Sequence, residues 1–303
     1  MTAIMTLVRT IPPSMSLPFI LLCYHIFTEK ATRHLAHSLC YTVCMKNYLL
    51  KLEYDGSLFH GWQEQRNLRT VQGTLQEALA AVCGQEIAVS GTSRTDAGVH
   101  ALGQCCSFTA DIGIPTENLP KALNNMLSGG RYGEGSKGSD VRVLSAEEMP
   151  EDFHARFSCK GKRYKYLINC GEQSAFRRNY CYTIDADELD ITAMQEAAKH
   201  LVGTHDFAAF QAAGGTPRET TVRTIYDARV EEADGDIVFW VRGDGFLYNM
   251  VRIMTGTLIE VGLGKIKPED ISEIIASCDR TNAGHTAPAC GLYLAEIFFD
   301  DIG

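Results

Sequence analysis

The chain has 303 residues, 45% of them apolar and 21% charged, enough for one large or two ordinary globular domains, which excludes a disordered or fibrous protein. A net charge of -9 excludes a uniformly basic nucleic-acid coat, although the distribution of charge counts for more than its sum. The 11 scattered cysteines include no CxxC pair and the central region has no HxxxH pair, so neither a disulfide framework nor a metal site is expected, and a reducing cytoplasmic setting fits.

The first 44 residues stand apart. Their apolar run Leu17 to Cys23 is too short to cross a bilayer and follows Pro12 and Pro13. Arg9 is the one basic residue before that run and no small-residue cleavage site follows it cleanly, so it reads poorly as a signal peptide. The expectation is a poorly ordered extension from a misplaced start codon, with a targeting peptide as the alternative. From Tyr48 the alternation in YLLKLEY predicts a strand ending at the turn pair Asp55-Gly56. After Gly61-Trp62-Gln63, Thr70 caps a helix whose apolar positions Val71, Leu75, Ala78, Leu79 and Val82 recur at helical spacing until Gly84 stops it. The run Ile87 to Val89 predicts a strand into a loop, GQCCSFTA a returning strand, and Leu119 to Leu127 a helix with Leu119, Ala122, Leu123 and Met126 as its apolar positions. This strand, helix, strand, strand, helix, strand order predicts an α+β unit of split βαβ type through about Pro150.

Residues 128–139, SGGRYGEGSKGS, predict a flexible Gly- and Ser-rich insertion; they contain no GxxxxGK[ST], so no nucleotide cofactor is expected. The second half repeats the α+β logic. It predicts strands at Tyr164 to Ile168, Thr224 to Glu232, Ile237 to Arg242 and Leu292 to Phe299, and helices at Leu189 to Leu201, Leu247 to Val261 and Pro268 to Ala276. Basic residues gather at Arg156, Lys160, Lys162, Arg163, Lys165, Arg177 and Arg178, opposed only by Glu172. Their alternation with Tyr164 and Tyr166 points to a surface that tracks a phosphate backbone.

Chemistry concentrates in Ser90 to Gln104, SGTSRTDAGVHALGQ, which predicts a shaped loop between two strands. Small residues and hydroxyls surround Arg94 and Asp96, so the loop can present one carboxylate in the open while Arg94 keeps it ionised and oriented. An isolated R-T-D reads more readily as a solvated turn in which the Asp caps the backbone. The full string RTDAGVHA resembles the signature of the tRNA pseudouridine synthase A (TruA) family. EYDGS with GWQ, DFHARFS, KRYKY, MVRIMTG and APACGLYL resemble further blocks of that family in the same order, from about Met45 to the end.

The resemblance implies two related lobes of split βαβ (ferredoxin-like) type, residues 45–150 and 151–303, sharing a central mixed or antiparallel sheet with a cleft between them. It implies conversion of uridine to pseudouridine in the anticodon arm of tRNA, at positions 38 to 40, by one essential Asp, with no cofactor, in a homodimer that one tRNA spans. By the match, Asp96 is the nucleophile, Tyr164 stacks on the target base, Arg252 pairs with the carboxylate and Leu292 walls the pocket. Arg94 could fill the space left by the extruded base. Arg156, Lys162, Arg163 and His100 are placed on the substrate, with a satisfied structural histidine as the alternative for His100. Ser93 departs from the family, which usually has Gly there; a hydroxyl adds little bulk. Whether Asp96 attacks sugar or base stays open. Two competing functions are an inactive tRNA-folding chaperone and a nucleoside hydrolase or retaining glycosidase; the hydrolase lacks a second carboxylate with a motif around it.

Overall fold

A computed structural model describes residues 45–128, 139–186, 188–215 and 219–300. The expected extension at 1–44, and the 128–139 insertion except for its end residues, lie outside the described residues. Alternating burial builds the first strand, β1 (Lys46–Tyr54): Tyr48, Leu50, Leu52 and Tyr54 turn inward while Lys51 turns out. Helix α1 (Val71–Cys83) starts where Thr70 accepts a hydrogen bond from the Gly73 N–H and ends at Gly84 in the left-handed region, φ 69°. Its Val71, Leu75, Ala78 and Leu79 are buried.

The strand before the loop is only β2 (Ser90–Gly91); Ile87 and Val89 pack into the core without ladder pairing, and Ala88 between them is exposed. The returning strand β3 (His100–Ala110) begins inside the RTDAGVHA string. Helix α2 (Leu119–Leu127) buries Leu119 and Leu123 but leaves Met126 exposed, since the helix covers β4 (Val141–Met149) with a narrow stripe. In the second half, β5 (Gly161–Cys170) is followed by β6 (Tyr182–Ile184), α3 (Ile191–Lys199), β7 (Gly203–Asp206), β8 (Val222–Ala233) and β9 (Asp236–Gly243). Helix α4 (Met250–Gly262), α5 (Asp270–Ser277) and β10 (Leu292–Phe298) complete it.

Among the described residues all ten strands join one sheet in the order β4-β1-β3-β10-β5-β9-β8-β7, with β2 on β3 and β6 on β5. Pairing is antiparallel except where β10 runs parallel to β3 and β6 parallel to β5, so the architecture is α+β with a mixed sheet. The sheet passes from residues 45–150 to residues 151–300 at β3 and β10, which pair only at His100 with Tyr293 and Ala101 with Leu294. The Ser90 to Gln104 loop rises beside this short seam. Among the described residues no helix is long and apolar enough to cross a membrane.

Helix α4 is buried along nearly its whole length. At Gly256 it meets the backbone of the segment leading to β10 so closely that a Cβ would stand 1.8 Å from the His285 carbonyl oxygen. Arg252, one turn earlier, is tied to the same segment. Gly256→Ala is therefore expected to lower stability by about 2 kcal/mol or more, read as a fall in Tm. Gly113→Ala, at an exposed glycine with open space around it, should leave Tm unchanged.

Candidate active site

A cleft of about 970 Å³ contains Asp96, Tyr164 and Leu292 in its lining. Its floor is the Ser90 to Gln104 loop, which is held by its main chain. The fully buried amide of Gln104 accepts from the Ser93 N–H at 3.3 Å and donates to the Ser93 carbonyl at 2.7 Å. Thr92 N–H donates to the Cys105 carbonyl at 2.9 Å, and the Thr95 carbonyl accepts from the Trp62 N–H at 3.0 Å. Thr95 Oγ1 pairs with the Tyr54 hydroxyl at 2.8 Å. Gly91 gives way to Trp62, whose ring stands 2.4 Å from where a Cβ would be, which accounts for a glycine at the start of this loop and for the tryptophan of the GWQ block.

Asp96 projects from that frame half-buried, its carboxylate 3.8 Å from Nη1 of Arg252. Two hydrogen bonds aim the guanidinium: Nε donates to the Ala287 carbonyl at 2.7 Å and Nη1 to Asn249 Oδ1 at 2.8 Å. Asn249 adopts the left-handed region, φ 60°, at the N-terminus of α4, a conformation that Asn tolerates better than most side chains. Burial raises the Asp96 carboxyl above the usual carboxylate range, and the Arg252 charge opposes that rise. Asn249 and Gln104 were not foreseen; Asn directly before MVRIMTG was the available signal for the first.

Tyr164 forms the neighbouring wall. It is buried, packs edge-on to Phe246 at 5.1 Å, and shares a 2.8 Å hydrogen bond with the Ser93 hydroxyl. Burial pushes its phenol well above 10, with the Asp96 charge adding to the rise and the Ser93 bond opposing it, so it stays protonated at neutral pH. Ser93, buried and not in the left-handed region, fits its place without strain; its hydroxyl also accepts from Lys162 Nζ at 3.4 Å. Lys162 donates to the Thr92 carbonyl as well, at 3.1 Å.

The sequence-predicted site residues divide by strand alternation. On β5, Lys162 and Tyr164 line the cleft, whereas Arg163 points to the other face of the sheet, ion-paired with Glu296 at 3.1 Å and 5.3 Å from the Phe298 ring. Arg163 is thus removed from the cleft-facing set. His100 is removed too. It is 2% exposed, stacked on Tyr293 at 4.7 Å, with Nδ1 accepting from the Gly56 N–H at 3.1 Å and Nε2 donating to the Asn179 carbonyl at 2.8 Å. Burial lowers its pKa, which keeps it a neutral structural residue behind the loop. Arg94 and Arg156 are exposed and line the cleft; with Lys162 and Arg223 they oppose the carboxylates of Asp96 and Asp244, so the cleft is cationic within an acidic protein.

Comparison with known proteins agrees in type with this geometry. A family profile described as tRNA pseudouridine synthase matches residues 52–158 and 197–300. A protein of Acetivibrio thermocellus named tRNA pseudouridine synthase A is 46% identical over 256 residues, covering 84% of this chain and 100% of that protein. Proteins of the same name from Ruminiclostridium cellulolyticum and Clostridium acetobutylicum are 48% identical over 257 residues and 43% identical over 256, again covering 84% of this chain and 100% of each relative. The chain belongs to the tRNA pseudouridine synthase family.

Proposed function

We propose that the chain isomerises uridine to pseudouridine in the anticodon arm of tRNA, as a cytoplasmic homodimer, with lobes 45–150 and 151–303 on either side of the cleft. The observation that carries the reading is one carboxylate, Asp96, held on a rigid loop against Arg252 and beside Tyr164. In the reaction the N1–C1′ bond breaks, a C5–C1′ bond forms, the C5 proton leaves and N1 gains one. Such a step needs an anionic nucleophile or oxocarbenium stabiliser and a pocket in which a detached uracil can turn. Asp96 supplies the anion and Arg252 keeps it ionised against the cost of burial. Tyr164 and Leu292 give the base an aromatic face and an apolar wall.

A base inside a stem must first leave its stack, at a few kcal/mol, which is cheapest near loops and stem ends. Arg94, exposed and two residues before Asp96, is placed to occupy the vacated position. Arg156 and Lys162 meet phosphates, so shape and backbone contacts select the substrate. The test is incubation of the purified protein with unmodified tRNA transcript and carbodiimide mapping of pseudouridine. The expected product lies in the anticodon arm; free uracil in solution would replace the proposal with hydrolysis.

Asp96→Asn should abolish product while leaving tRNA affinity near wild type, since the amide keeps the shape but not the charge and phosphate contacts supply most of the binding. Turnover by this variant, with deamidation excluded by mass spectrometry, would disprove the assignment.

Because the folded Asp96 pKa is raised, its carboxylate forms only above that raised value, and the acid limb of kcat/KM lies above the ordinary Asp range. Arg252 lowers that pKa, so Arg252→Gln should move the acid limb to higher pH and cut the rate roughly a hundredfold. Adding Asp96→Asn should cost nothing more than Asp96→Asn alone.

Replacing Arg156 and Lys162 by Ala should reduce the slope of log affinity against log salt by about one unit each. Arg163→Ala, on the opposite face, should leave the slope unchanged when binding is titrated over a salt series.

A further inference from the structure

The reaction proposed above gives no task to Phe157, although this ring lines the same cleft and is 76% exposed. A lone exposed apolar side chain is ordinary, but this one is carried on a braced turn. The Phe157 and Ser158 N–H groups both donate to the His154 carbonyl, at 3.0 and 2.8 Å. The Arg156 N–H donates to His154 Nδ1 at 3.1 Å, and the His154 N–H to Ser158 Oγ at 3.2 Å. Ala155, with no exposed surface, pins the turn to the Asp96 loop and to β3, which follows it: its N–H donates to Ser107 Oγ at 3.0 Å and its carbonyl accepts from Thr92 Oγ1 at 3.3 Å. The turn and the Asp96 loop therefore share one frame. Beside the ring lie the His154 imidazole, 4.4 Å away between centroids, and the Arg156 guanidinium at 5.8 Å.

An aromatic ring open to solvent on a braced turn, beside an arginine, in a cationic cleft, is the arrangement that holds single-stranded nucleic acid: the ring takes a base and the cation the adjoining phosphate. We propose that Phe157 is a second base-binding site, a platform on which an unpaired nucleobase neighbouring the target uridine stacks, with Arg156 on its phosphate. This rests on the reading of the cleft as an RNA-modifying site. Because the platform and the nucleophile loop are braced together, a stacked neighbour would set the distance from the strand to Asp96 and so contribute to which uridine is presented.

The test uses an anticodon stem-loop RNA with 2-aminopurine replacing an unpaired base beside the target, and the variants Phe157→Ala, Phe157→Leu and Phe157→Trp. Stacking lost by alanine substitution weakens binding about five- to a hundredfold, so Phe157→Ala should raise Kd roughly tenfold with an unchanged salt slope and lose the fluorescence quenching seen with wild type. Trp should restore both; Leu, apolar but without a ring face, should restore neither. Equal melting temperatures would exclude a folding defect. Wild-type affinity in Phe157→Ala, rescue by Leu as good as by Trp, or an altered oligomeric state with unaltered RNA affinity, which would make the ring a contact between copies of the chain, would each overturn the proposal. Wild-type pseudouridine formation, scored separately, tells a failure of this site from a failure of the proposed reaction.

Discussion

Gln104 has no exposed surface, and its side-chain amide closes on both polar groups of the Ser93 peptide. In so buried a position each of these groups depends on the other, and deleting one leaves its partner to bear the full cost of desolvation. The clamp fixes the loop three residues before Asp96. Beyond it, Thr95 is held through its hydroxyl by Tyr54 and through its carbonyl by the Trp62 N–H. Asp96 is therefore positioned by the backbone around it, which leaves its carboxylate to face Arg252 and the open cleft. A carboxylate oriented by its own side-chain bonds would have to break them to react.

Strand alternation then sorts the charges. On one face of the sheet, β5 offers Tyr164 and Tyr166 opposite Val241 and Phe239 of β9. On the other, Arg163 and Lys165 stand opposite Arg242 and Trp240, and the cations rest on rings: Lys165 and Arg229 on Trp240, Arg242 on Tyr226. Acidic residues such as Glu231 and Glu296 answer them there. The outer face is thus neutralised locally. The cleft keeps Arg94, Arg156, Lys162 and Arg223 against two carboxylates, which reconciles a net charge of -9 with a surface suited to phosphates.

Features governed by local rules were legible in the sequence. Thr70 and Gly84 bracket α1 because an N-cap hydroxyl and a left-handed glycine act within one turn. The order of elements up to Pro150 was read from periodicity together with caps and turn signals, whereas Asp96, Arg252 and Tyr164 were singled out through the family resemblance of their motifs. What escaped is set by contacts distant in sequence. No local signal tells that Gln104 will reach back 11 residues to Ser93, or that His100 will be enclosed by Tyr180 and Tyr293. Arg163 was drawn into the basic cluster by proximity in the chain, although a period of two places it and Tyr164 on opposite faces. The short β6 and β7 exist through pairing with β5 and β8 and carry little pattern of their own.

Ser93 joins these levels. Its backbone is the point gripped by Gln104, while its hydroxyl meets both Tyr164 and Lys162. A glycine at this position would keep the first connection and lose the second. Because the Lys162 ammonium has no acceptor capacity, the Ser93 oxygen accepts from it, and the 2.8 Å contact with Tyr164 then carries either the serine or the phenol proton. In both cases the buried phenol is satisfied without drawing on Asp96. The Asp96 loop, Tyr164 and Lys162 are thereby tied at one side chain, so any displacement of the loop is felt at two walls of the cleft together.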